Sequence, residues 1–199
     1  MRTRTARSLL AGLLALATTS LAARGVAGQA KPAAEAFVDI RGVTHYPLDT
    51  RGAKAVVLFF LTTDCPIANY YTPEISAIVK DHAGKGVRFY VVHVDPELKP
   101  AEARKHAEAY GLTCPVLIDA KHRLVKATGA TVTPEAALLT PDGKLAYRGR
   151  IDDTYVDLGK RRVAPNRRDL REALAAVLAG RAVKEARTEA LGCPIPELP

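Results

Sequence analysis

Cysteine is scarce in this chain. Three of 199 residues are Cys65, Cys114 and Cys193. None sits three positions after another, so a Cys-x-x-Cys dithiol loop is excluded; Ala68 holds the place that would complete one after Cys65. Three is also too few, and odd, for a disulfide framework. A chain of this length builds a core without staples. Glycine-rich phosphate loops, a Ser-His-Asp arrangement and zinc-ligand spacing are all missing. Long apolar runs are missing after the first thirty residues, so no stable membrane insertion is expected of the processed chain. Aromatics make up 6% of the residues and do not interleave with a basic face. The densest basic run, GKRRVAPNRR (159–168), reads as a solvated loop, and nucleic acid is not an expected partner.

What is present begins with a leader. MRTRTAR is basic, SLLAGLLALATTSLAA is apolar, and small residues follow near Ala27 to Ala30. This is the pattern of a signal peptide over 1–30. It predicts a chain secreted across the inner membrane, most simply into a periplasm. No twin arginine points away from the general route, and no cysteine follows the apolar run to suggest a lipoprotein. The net charge of +8 includes four arginines from the leader; without them 25 basic residues face 21 acidic ones, leaving +4. In an oxidising compartment an odd cysteine in a chain that needs no staple points to chemistry.

After a short lead-in (31–35), the pattern predicts one domain over 36–180 and a tail over 181–199. FVDIRGVTHYPL suits a short strand pair. AKAVVLFFL (53–61) and VRFYVVHVD (87–95) are continuous apolar runs, as in strands buried on both faces. Between them, Tyr71, Ile75, Ile78 and Val79 mark one helical stripe from about Ile67 to His82, with Pro73 bending it. A polar helix is expected over 96–111, a short strand at CPVLID (114–119), and a short helix at AKHRLVKATG. EAALLT and KLAYRGRI, joined by PDG, predict a hairpin. The last helix is expected to be capped by Asn166 and closed by Gly180. Strands alternate with helices and end in a hairpin. The fold class is therefore α/β, a mixed central sheet between helices, with an N-terminal strand pair and an irregular C-terminal tail.

Cys65 falls where a buried strand meets a helix. The helix N-terminus offers free N–H groups and partial positive charge, and both favour the nucleophilic thiolate. Pro66 suits the helix's first turn. Pro134, after TVT and before a strand, has no N–H to offer a ladder and belongs at a strand's start. His93 closes the second strand near the same sheet edge.

FFLTTDCPIA, VTPEAALLTPDGKLAYRGRIDD and ALGCPIP together resemble thioredoxin-fold redoxins of the alkyl hydroperoxide reductase/thiol-specific antioxidant superfamily. Within it, the chain resembles the branch with a single Cys-Pro at the site and a late Gly-Cys-x-Ile. The resemblance covers roughly residues 36–197. It implies that Pro134 follows a cis peptide bond and faces Cys65. It implies thiol redox catalysis with Cys65 as nucleophile and a thiol reductant or partner redox protein, on a peroxide or a protein thiol or disulfide. Thr62 matches the threonine of the peroxidase pattern Pro-x-x-x-Thr-x-x-Cys, whereas Leu58 replaces its proline. Arg148, or Arg150, is the candidate to supply positive charge.

Cys193 is the candidate resolving thiol, condensing with an oxidised Cys65 to a disulfide that a reductant resets. A static Cys65–Cys193 staple and a free Cys193 are the other readings. Cys114 reads as a buried filler that would otherwise take the resolving role. A second class of function is copper binding or delivery through Cys65 and His93, with no other cofactor expected. Asp152 and Asp153 are expected to fix the turn after the hairpin.

Overall fold

The computed structural model describes residues 35–198. The expected leader lies outside the described residues. In chain order the elements are β1 (Phe37–Val38), β2 (Thr44–His45), β3 (Ala55–Leu61), α1 (Pro66–Asp81), β4 (Val87–His93), α2 (Pro100–Ala109), β5 (Val116–Ile118) and α3 (Arg123–Thr128). Then follow β6 (Val132–Thr133), β7 (Glu135–Leu139), β8 (Leu145–Gly149), β9 (Tyr155–Asp157), β10 (Lys160–Arg161), α4 (Asp169–Leu178) and β11 (Cys193–Pro194).

Five strands make the central sheet in the order β5-β4-β3-β7-β8. The strand β3 runs parallel to β4 and antiparallel to β7, so the sheet is mixed. All seven residues of β3 are buried, as its continuous apolar run requires of a central strand covered on both faces. Its alternation divides the core. Ala55, Val57, Phe59 and Leu61 join α1, α2 and α4 residues, among them Ile75, Ala103 and Leu174. Val56, Leu58 and Phe60 pack on the other side with Leu124 of α3 and Phe37 of β1.

The helix α1 runs unbroken through Pro73. A proline there cannot donate to the carbonyl four residues back, that of Asn69. The Thr72 hydroxyl donates to that oxygen instead, at 2.9 Å. Two details differ from the sequence reading. Arg168, not Asn166, sits at the N-cap of α4: Asn166 lies in a bend, and the Asp153 carboxylate accepts from Arg167 N–H at 2.8 Å, holding the chain outside the helix there. The tail is not wholly irregular: residues 186–188 lie beside β8, and β11 pairs antiparallel with β6.

Candidate active site

Cys65 is the N-cap residue of α1, one residue past the strand-end loop of β3. Its sulfur accepts the backbone N–H of Ala68 at 3.5 Å. The position that lacks a second cysteine thus contributes its amide. Pro66 opens the first turn, where a missing N–H costs nothing.

Opposite lies the segment before β7. The Thr133–Pro134 bond is cis, as the resemblance implies. As a thiol, Cys65 donates to the Thr133 carbonyl at 3.1 Å. The Thr133 hydroxyl lies 3.3 Å from that of Thr62, so Thr62 braces Thr133. Thr133 is fully buried. Its importance is not visible in the sequence beyond its place before Pro134.

The tail completes the site. In β11, Cys193 is in register with Thr133 and Pro194 with Val132. The Ile195 N–H donates to Thr131 O at 3.2 Å, and the Ile195 side chain packs against the second core cluster. This seats the Cys193 sulfur 2.7 Å from that of Cys65, across 128 residues of chain. Gly192 permits the approach: a Cβ there would overlap the Thr133 carbonyl.

The two sulfurs ionise in opposite directions. Burial pushes the Cys65 thiol up, but hydrogen bonds from the Cys193 thiol, the Ala68 amide and the Thr133 hydroxyl outweigh it and lower its pKa below the usual 9.0. The thiol's contact with the Thr133 carbonyl works against ionisation and is lost with the proton. Cys193 is pushed up to about 11 by burial first, then by donating to Cys65 and by the charges of Cys65 and Asp64. Of the two, Cys65 is the sulfur that ionises first, and the Cys193 thiol is placed to donate to it.

The other candidates lie elsewhere. Arg148 Nε stands 3.1 Å from the buried carboxylate of Glu135, and Arg148 also donates to the Gly129 carbonyl. Glu135 in turn accepts the Thr131 N–H at 2.7 Å. The arginine thus braces the loop that carries Thr133 and Pro134 and makes no contact with either sulfur. Arg150 donates to Asp169 at 2.8 Å. Cys114 packs in the first core cluster, and burial pushes its thiol to about 11. Asp152 accepts from the Tyr71 hydroxyl at 2.7 Å and from Thr154 N–H at 2.9 Å, fixing the turn after β8 to α1. His93 is fully buried, its ring edge-on to His106 at 4.9 Å, with neither nitrogen hydrogen-bonded. Among the described residues no three His, Cys, Asp or Glu side chains converge as a metal-ligand set.

The AhpC/TSA family model matches residues 28–148. The chain belongs to this family. Cys193 lies 45 residues beyond the matched stretch. A thiol-disulfide oxidoreductase ResA of Geobacillus thermodenitrificans is 32% identical over 108 residues, which is 54% of this chain and 60% of that protein. The chain thus matches well under two thirds of this curated relative's length. Among solved structures, an uncharacterized conserved protein from Geobacillus kaustophilus is 30% identical with a TM-score of 0.71, covering 83% of this chain and 90% of that one. A hypothetical protein from Sinorhizobium meliloti is 27% identical with a TM-score of 0.71, covering 82% and 90%. The fold is thioredoxin-like. Its likeness to both solved structures extends over more of the chain than the family match, whereas the redox chemistry rests on named side chains.

Proposed function

We propose that the protein is a thiol-disulfide oxidoreductase in which Cys65 attacks and Cys193 resolves. The observation that carries this is the 2.7 Å approach of the two sulfurs, one favoured as thiolate and the other held as thiol. The named activity of the Geobacillus thermodenitrificans relative supports the same reading.

In the reducing direction the Cys65 thiolate attacks one sulfur of a substrate disulfide. A mixed disulfide forms, and the other substrate sulfur leaves as a thiolate. The charge at Cys65 is then gone, and with it the hydrogen bond and the repulsion that kept Cys193 protonated. Cys193 gives its proton to the departed thiolate and attacks the Cys65 sulfur. The second substrate sulfur leaves, and the chain holds the Cys65–Cys193 disulfide. Two electrons have passed to the substrate, and a thiol reductant or partner redox protein restores the pair. Every step is reversible, so the partner's potential sets the direction. A peroxide enters by the same thiolate: Cys65 attacks one peroxide oxygen, the O–O bond breaks and the other oxygen leaves as alcohol or water once protonated, and Cys193 then displaces the sulfenic oxygen as water to close the disulfide. The Leu58 departure from the peroxidase pattern, and the binding of Arg148 to Glu135, favour the disulfide substrate.

The expected setting is outside the cytoplasm, on the strength of the leader pattern in residues 1–30. The test is mass spectrometry of the thiol-blocked protein before and after one equivalent of oxidised glutathione, and separately of hydrogen peroxide. A Cys65–Cys193 disulfide formed by glutathione and reversed by a thiol reductant supports the reading. Two unchanged thiols under both oxidants overturn it. Faster closure by peroxide than by glutathione moves the assignment to a peroxidase.

A further inference from the structure

The tail is held in two places before it reaches Cys65. The second hold is the pairing of β11 with β6. The first is at Thr188. Arg148 N–H donates to Ala186 O at 2.9 Å, and Thr188 N–H donates to Arg148 O at 3.1 Å, laying residues 186–188 parallel to β8. The Thr188 side chain then closes a ring of three hydrogen bonds. The Tyr147 hydroxyl donates to Arg150 O at 2.6 Å, the Thr188 hydroxyl donates to Tyr147 Oη at 2.6 Å, and Arg150 N–H donates to Thr188 Oγ1 at 3.1 Å. One orientation of the two hydroxyls satisfies all three bonds.

The ring is buried, with Tyr147 1% and Thr188 8% exposed. The chain is shaped around it: Gly149 has a φ of +152°, and a Cβ there would overlap both Thr188 Oγ1 and its backbone. Nothing in the exchange chemistry uses Thr188 directly. Only residues 189–192 separate it from Cys193.

We propose that Thr188 is a positioning residue, whose hydroxyl ring holds the tail against β8 and so sets the effective concentration of the Cys193 thiol at Cys65. The inference rests on the reading of Cys65 and Cys193 as a redox couple and adds what presents the second thiol. The effective concentration at the end of a flexible tether falls roughly as the −3/2 power of its length. With the ring lost and the two-bond pairing of residues 186–188 to Arg148 released with it, the tether runs back to Val183, the preceding residue packed on the core. That doubles its length, for a loss of about threefold from length alone. Loss of the buried bonds adds to it, giving about three- to tenfold in all.

The experiment is the equilibrium of the full chain with glutathione. Cys65 attacks oxidised glutathione and expels one glutathione thiolate; Cys193 gives up its proton, attacks the mixed disulfide and expels the second. One oxidised glutathione becomes two reduced ones as the chain's two thiols become a disulfide. The equilibrium constant reports the effective concentration of Cys193. Thr188→Val is expected to lower it about three- to tenfold, and Thr188→Ser to keep it. Tyr147→Phe removes the same ring from the other side and is expected to lower it similarly. The double variant is expected to fall no further than the lower single one, because both act through one ring. The alkylation rate of Cys65, measured in a Cys193→Ser background, is expected to be equal with and without Thr188→Val.

An unchanged constant in Thr188→Val overturns the inference and leaves the redox couple standing. So does a fall in Cys65 alkylation large enough to account for the whole change. Absence of the disulfide in the wild-type chain at any glutathione ratio overturns both. If Thr188→Val does not fold, Tyr147→Phe carries the same test, and an unchanged constant there overturns the inference.

Discussion

Gly192 lies flat against Thr133, with no room for a Cβ between them, one residue before Cys193 pairs with that same threonine. The carbonyl that would be struck belongs to the backbone next to Pro134, so it has no rotamer by which to step aside. Gly192→Ala is expected to lift β11 from β6 and carry Cys193 off Cys65. Disulfide formation with oxidised glutathione should slow by about tenfold or more, matching an overpacking cost of roughly 1–3 kcal/mol. Stopped-flow quenching with mass detection checks this. A Cys65 alkylation midpoint that moves upward as in Cys193→Ala, with Cys65 still reactive, places the defect in the tail.

Cys65 and Cys193 should separate cleanly as variants. Cys65→Ser is expected to abolish reduction of a model protein disulfide such as insulin. Cys193→Ser is expected to complete the first attack and then stall, accumulating a mixed disulfide that gel electrophoresis without reductant detects. Equal turnover by Cys65→Ser would remove the enzyme reading altogether.

The hydrogen bond from Cys193 is the largest of the contributions that lower the Cys65 pKa. The rate of iodoacetamide alkylation at Cys65 should therefore reach half its plateau below pH 9.0 in the wild type. In Cys193→Ala the midpoint should move upward, because burial, which raises it, is then less opposed. Cys193 itself should react in a separate step centred at about 11. A Cys65 midpoint that stays put in Cys193→Ala would mean the helix N-terminus alone sets its acidity.

His93 provides a pH test of stability. Burial, then the neighbouring His106, lowers its pKa from 6.5 to about 3. Below pH 6.5 the unfolded chain takes a proton that the folded chain refuses. Stability should fall as pH drops from about 6.5 toward about 3 and level off beneath. The acid sensitivity traceable to this residue is on the order of 5 kcal/mol. His93→Leu, which removes two unpaired buried nitrogens, is expected to keep or raise stability at pH 7 and to flatten this slope in urea melts. The same variant tests copper binding: a Cu(I) stoichiometry that drops with His93→Leu, without peroxide or disulfide turnover in the wild type, would assign that function in place of redox exchange.

The architecture was legible where one residue pattern has one physical solution. The apolar run of β3 is buried at every position, and the Tyr71, Ile75 and Ile78 stripe does face the core. Cys65 at a helix N-terminus followed from the same two patterns. The residue before Pro134 was not legible as a site residue, since Thr133 acts through its carbonyl and its fold-given position as much as through its side chain. Arg148 was misleading for a related reason: a sequence shows a positive charge but not the buried Glu135 that holds it. The tail carries no periodicity because it is held by backbone pairing and one hydroxyl ring, and neither leaves a hydrophobic pattern to read. Asn166 was the better cap by propensity, but Asp153 holds its neighbour's amide and moves the helix start to Asp169.

Closing Cys65 to Cys193 ties together points 128 residues apart, leaving outside the loop, among the described residues, chiefly the segment up to and including β3. A cross-link of that span removes much of the unfolded chain's freedom, worth about 5 kcal/mol in the loop-closure account. Oxidation state and resistance to unfolding then become one thermodynamic cycle. The protein in its oxidised form should withstand more urea than in its reduced form, and whatever the folded domain gains from the cross-link it returns as reluctance to be reduced. A partner that resets this couple must work against the cohesion of the entire domain, not of one loop.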